Sequence, residues 1–130
     1  MRIATTVAHI LARVTGLTQI VLGLLIWFLD LDAVIPVHIA VGLVLVLSLW
    51  TLAFLAAEAG VSRGLVILAV FWGFLTPVLG LMQGRLLVGD AHWVIQVVHL
   101  LVGVGAMGLA ERLAVRIKRI TGPALQEATK

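Results

Sequence analysis

The sequence predicts an all-α protein: an integral membrane four-helix bundle made of two repeated helical hairpins, with the N- and C-termini cytoplasmic. Three observations predict it. Of the 130 residues, 62% are hydrophobic and 12% charged. A soluble domain runs nearer half apolar and a quarter charged, and one of this length has no interior large enough to hide so many Leu, Val and Ile side chains. The apolar residues fall into four runs of spanning length, and Lys and Arg fall almost entirely on one side of those runs. The chain reads as a single transmembrane domain, 1–130, with one hairpin at about 3–59, a second at about 64–121 and a short polar tail at 122–130.

A membrane span needs about 17–25 mostly apolar residues. The first run covers 10–29. The second is VHIAVGLVLVLSLWTLAFLAA at 37–57, and the third is LVILAVFWGFLTPVLGLM at 65–82. The fourth covers 93–110 and continues as an amphipathic helix to Ile120, where Gly122-Pro123 is a stop signal. Asp32 and Asp90 are placed to cap the second and fourth helices. Pro77 falls inside the third and is expected to kink it. The first run is too long for a cleavable signal peptide, and no small-residue cleavage site follows it. The chain has no Cys, which excludes disulfides, thiolate metal sites and a Cys nucleophile.

Lys and Arg set the orientation. With the N-terminus cytoplasmic, Arg2, Arg13, Arg63, Arg112, Arg116, Lys118, Arg119 and Lys130 lie inside, and Arg85 lies outside. The pI near 10.7 is then a topology signal and not the footprint of a nucleic-acid partner. The basic stretch RLAVRIKR is placed to lie against anionic membrane lipid. Of the tryptophans, Trp27 and Trp93 suit the interface belt, while Trp50 and Trp72 sit deeper, as packing residues.

The two halves resemble each other. Gly16 and Val21-Leu22-Gly23-Leu24-Leu25 match Gly73 and Val78-Leu79-Gly80-Leu81-Met82, 57 positions later. VHIAVGL, from Val37, matches VHLLVGV, from Val98, 61 positions later. The four-residue difference is loop length. Both hairpins start on the cytoplasmic side, so the expected relation is a two-fold axis along the membrane normal.

Ionisable residues inside spans are functional suspects. His38 and His99 are the repeat-matched pair, each about 9–14 Å below the expected start of its helix. Gly42 and Gly103 follow four residues later, on the same helical face, and a missing side chain there leaves room for something flat. Two facing imidazoles beside glycine space are what a haem iron needs. At H38-x-x-x-G42 and H99-x-x-x-G103 the chain resembles the membrane b-type cytochromes, the cytochrome b561-like and quinone-linked four-helix bundles. That resemblance implies one non-covalently held haem b, with His38 and His99 as iron ligands and Gly42 and Gly103 beside the ring. Many such proteins carry a second haem near the other face, but here the inner half offers His9 alone.

Other polar residues fit around this expectation. Arg85 is placed either to pair with haem propionates or to snorkel to lipid phosphate. His92 is placed to meet a propionate, or to replace His99 as ligand. Gln83 and Gln96 either line a quinone pocket or bond between helices. Arg13 reaches Glu111 or snorkels. A three-histidine zinc site from His38, His92 and His99 is a further alternative, strained by the seven-residue separation of the last two. The resemblance implies one-electron exchange with quinol, a redox protein partner or superoxide in a bacterial-type inner membrane. A haem-free small transporter and an assembly or scaffold subunit are the alternatives. No catalytic triad, phosphate loop or intramembrane carboxylate pair is present.

Overall fold

The computed structural model describes residues 1–122, so the predicted polar tail from Pro123 to Lys130 lies outside the described residues. Four helices form: α1 (Arg2–Leu29), α2 (Ile35–Glu58), α3 (Arg63–Met82) and α4 (His92–Ile120). Each contains an 18-residue stretch with mean hydropathy between 1.8 and 2.5, and no more than 39% of any such stretch is buried. The remaining apolar surface faces outward, with Ile3, Phe28, Ile67, Phe71 and Leu81 each at least 60% exposed. All four helices are long and apolar enough to cross a membrane.

α1 begins well before the apolar run: Thr5 and His9 are buried on the helical face that continues through Ala12 and Gly16. The expected aspartate caps do not form. Short 3₁₀ turns precede α2 at Asp32–Val34 and follow α3 at Gln83–Arg85. Val34 is the N-cap of α2 and Ala91 that of α4, neither with a side-chain bond. Asp32 and Asp90 are therefore too early in the chain to reach the free N–H groups. α2 ends differently. Gly60 takes φ 79°, and Val61 N–H bonds Ala56 O at 2.9 Å while Gly60 N–H bonds Ala57 O at 3.1 Å. This is the Schellman arrangement that glycine's freedom at positive φ permits.

The helices run alternately up and down. α2 and α4 each pack against all three other helices, and α1 and α3 each pack against both of these. Arg2 Nη2 donates to Thr121 O at 2.9 Å, so the start of α1 and the end of α4 meet at one end. That end is closed. Ala8, Ala12, Ala56, Ala69, Ala106, Ala110 and Ala114 let the helices approach around Leu49, Leu52, Leu113 and Ile117. Trp50 Nε1 donates to Val70 O at 3.2 Å and Trp72 Nε1 to Val102 O at 2.8 Å, so both deep tryptophans tie neighbouring helices together. The other end is not filled.

Candidate functional site

At the open end the four helices enclose a cavity of about 230 Å³. Its wall comes from the second half of α1 and α3 and the first half of α2 and α4, and it includes Pro77, whose missing N–H already interrupts the α3 ladder. Most of the lining is apolar. The polar groups are His38, His99, Gln19, Thr76, Gln83 and Gln96.

His38 and His99 face each other here, with ring centroids 6.2 Å apart and planes inclined by 54°. They sit three and seven residues into their helices. At about 1.5 Å per residue, the start of α4 extends further than that of α2, and His38 is shallower in its helix than the sequence suggested. Both Nδ1 atoms are buried without a hydrogen-bond partner among the described residues. Two imidazoles bound to one iron by bonds of about 2 Å, with about 1 Å more from each nitrogen to its ring centre, have centroids about 6 Å apart. The spacing of the pair fits a bis-imidazole iron bound through Nε2, which leaves each Nδ1 to carry a proton. A three-histidine zinc site does not form, since no three His, Cys, Asp or Glu converge as metal ligands among the described residues.

The seats of the imidazoles are glycines that spacing along one helix does not reveal. An ideal Cβ at Gly80 on α3 would stand 2.9 Å from His99 Cε1, and one at Gly23 on α1 would stand 3.5 Å from His38 Cε1. Within each hairpin the first helix presents a glycine to the edge of the histidine on the second. The signal was present in the sequence, because Gly23 and Gly80 are themselves repeat-matched. Gly42 and Gly103 line the cavity as well. The space at Gly103 is open, whereas that at Gly42 is taken by the Gln19 amide, with Nε2 at 2.5 Å from an ideal Cβ. Gln19 itself went unremarked in the sequence, and its buried Oε1 has no partner among the described residues.

Arg85 and His92 do not line the cavity. Arg85 is exposed at the end of its 3₁₀ turn. His92 opens α4, with Nδ1 3.3 Å from Leu86 O. Gln83 and Gln96 do line the cavity.

A separate polar cluster joins α1 to α4 at the closed end. Arg13 grips Glu111 with two bonds, Nε to Oε2 at 2.9 Å and Nη2 to Oε1 at 2.7 Å, and so pairs rather than snorkels. Buried His9 has Nε2 at 2.6 Å from Glu111 Oε2 and Nδ1 at 3.3 Å from Lys118 Nζ. Because an ammonium only donates, His9 Nδ1 accepts, and Nε2–H donates to the carboxylate.

Comparison with protein-family profiles, with curated proteins and with solved structures finds no match to this chain.

Proposed function

We propose that the chain is a membrane b-type cytochrome. It holds one haem b between His38 and His99, near the outer face of a bacterial-type inner membrane. There it exchanges single electrons with quinol, a redox protein partner or superoxide. The observation that carries this reading is the facing imidazole pair, 6.2 Å between centroids, in a mostly apolar cavity. When bound, haem supplies reversible one-electron chemistry. His38 and His99 would hold the iron, Gly23 and Gly80 would set the ring edges, and the mostly apolar wall would limit contact with water.

The pattern of the wall supports a parallel repeat. Each position that lines the cavity from α3 and the turn after it has a counterpart on α1: Thr76 with Gln19, Pro77 with Ile20, Gly80 with Gly23, Leu81 with Leu24 and Gln83 with Ile26. On α4 and α2, Gln96 pairs with Ile35, His99 with His38, Leu100 with Ile39 and Gly103 with Gly42. The offsets are those of the sequence repeat. A two-fold axis through the cavity puts the two ligands on opposite faces of one flat group. The Lys and Arg asymmetry supports a cytoplasmic closed end, because Arg2, Arg13, Arg63, Arg112, Arg116, Lys118 and Arg119 all belong to it. The cavity then lies in the outer half. A single haem there does not carry electrons across about 30 Å of hydrocarbon, so transmembrane flow requires a mobile quinone or a partner.

Purified protein is expected to be red, with a low-spin bis-imidazole absorption spectrum that sharpens on dithionite reduction. His38→Ala and His99→Ala each abolish that ligation, and His9→Ala retains it. A colourless protein that takes up no added haem overturns the reading, leaving the haem-free transporter or scaffold. Arg85 is the cation nearest the outer boundary for propionates, with His92 beside it when protonated. Arg85→Gln leaves propionate charge uncompensated, favours ferric iron and lowers the reduction potential by tens of millivolts, a tenfold preference being about 59 mV for one electron. Redox titration beside Arg13→Gln, which leaves the potential unchanged, checks the outward orientation; a shift in the Arg13 variant alone reverses it.

A further inference from the structure

We infer that Gln19 is the positioning residue for His38, its amide oxygen taking the Nδ1–H that an iron-bound imidazole must donate. The inference rests on the haem reading above. Three buried side-chain polar atoms lack partners among the described residues: Gln19 Oε1, His38 Nδ1 and His99 Nδ1. All three belong to residues of the one cavity. An unsatisfied polar group is costly in a protein interior and finds no water in hydrocarbon. The three atoms are also complementary. An imidazole that binds metal through Nε2 carries its proton on Nδ1 and is a donor there, and an amide oxygen is an acceptor.

Placement selects His38 over His99. Gln19 is one turn before Gly23 on α1, and Gly23 seats the edge of His38. Gly42 is one turn after His38 on α2, and the Gln19 amide lies against it. The Gln19–Gly42 level is therefore next to the Gly23–His38 level, about 5–6 Å along the bundle. For the amide oxygen to reach Nδ1, the Gln19 side chain has to turn about its torsions toward the His38 level. Gly42 is what admits the amide, since a Cβ there would stand 2.5 Å from Nε2. In the other half the matched residue is Thr76, a shorter side chain whose hydroxyl donates to Trp72 O at 2.9 Å. The two ligands are thus supported differently, although their seats match.

An acceptor at Nδ1 makes the imidazole a more basic ligand, which favours ferric iron. In haem-loaded full-length protein, Gln19→Leu is expected to raise the reduction potential and to weaken haem binding about tenfold, the lower end for loss of such a support. Gln19→Glu keeps an acceptor oxygen and is expected to hold the potential at or below that of the wild type, with haem affinity retained. Electron paramagnetic resonance of the ferric forms should show changed g values in Gln19→Leu and not in Thr51→Val, which removes a hydroxyl bonded to Leu47 O outside the cavity. If Gln19→Leu keeps the wild-type potential, affinity and g values, or if Gln19→Glu behaves as Gln19→Leu, the positioning role is overturned while the haem reading stands. If wild-type protein binds no haem, both fall.

Discussion

Gly80→Leu is expected to remove low-spin bis-imidazole ligation almost completely while the bundle stays folded. The glycine backbone lies against the edge of His99, and an added Cβ would stand 2.9 Å from Cε1 and 3.5 Å from Nε2. A Cβ contact below 3 Å forces something to move. Here the neighbour is a side chain that can swing, so the ring gives way rather than the helix. Leucine extends further along the same direction and pushes the imidazole out of line with His38. The effect should be graded. Gly80→Ala displaces the ring by tenths of an ångström and weakens haem binding, whereas Gly23→Ala places its Cβ at an ordinary 3.5 Å from His38 Cε1 and leaves the spectrum unchanged. Gly in a helix interior costs about 0.5–1 kcal/mol relative to Ala, so the alanine variants fold at least as well as the parent. Haem content and the reduced spectrum read the series directly. A wild-type spectrum from Gly80→Leu means that His99 is not seated on α3, and the ligand geometry proposed for that half is wrong.

The four helices were legible because each contains a long apolar run, the pattern that a lipid-spanning segment must have to satisfy its own backbone and present apolar side chains. Their ends were less legible. Asp32 and Asp90 look like caps in a linear reading, but the 3₁₀ turn at Asp32–Val34 and the turn before His92 shift the free N–H groups out of their reach. His38 and His99 stood out because they fall at matching positions of the two half-sequences, and the fold brings their rings together. Their glycine seats did not, because the contact crosses from one helix to another and depends on rotation about both axes. Spacing within α2 and α4 pointed to Gly42 and Gly103, and at Gly42 the room is used by Gln19. Gln19 carries no linear signal. A lone glutamine in a span reads as an interhelical bond, and only the unpaired oxygen in the folded bundle gives it another meaning.

The closed end was the least legible, since the residues that lock it, His9 and Glu111, are 102 positions apart. Glu111→Ala is expected to destabilise the bundle by about 1–3 kcal/mol, the cost of leaving a buried donor unpaired. His9 is 6% exposed, and its Nε2–H has the Glu111 carboxylate as partner at 2.6 Å. Arg13 loses the same partner, but its guanidinium is exposed whereas the His9 ring is buried. The asymmetry between losing one partner and losing both supplies the decisive control. Replacing both groups with apolar side chains of similar size removes the orphan, so the double variant His9→Phe with Glu111→Met should recover most of the stability that Glu111→Ala loses. Lys118 is exposed and can turn its ammonium to water. Unfolding in mixed micelles by a denaturing detergent ranks the three proteins. If Glu111→Ala unfolds with the wild type, the cluster is not a lock. The variants should also leave haem ligation intact, since Glu111 follows His99 by about 18 Å along α4 and the packed alanine and leucine core lies between them. A loss of the low-spin spectrum in Glu111→Ala would show instead that the closed end sets the alignment of the histidine pair.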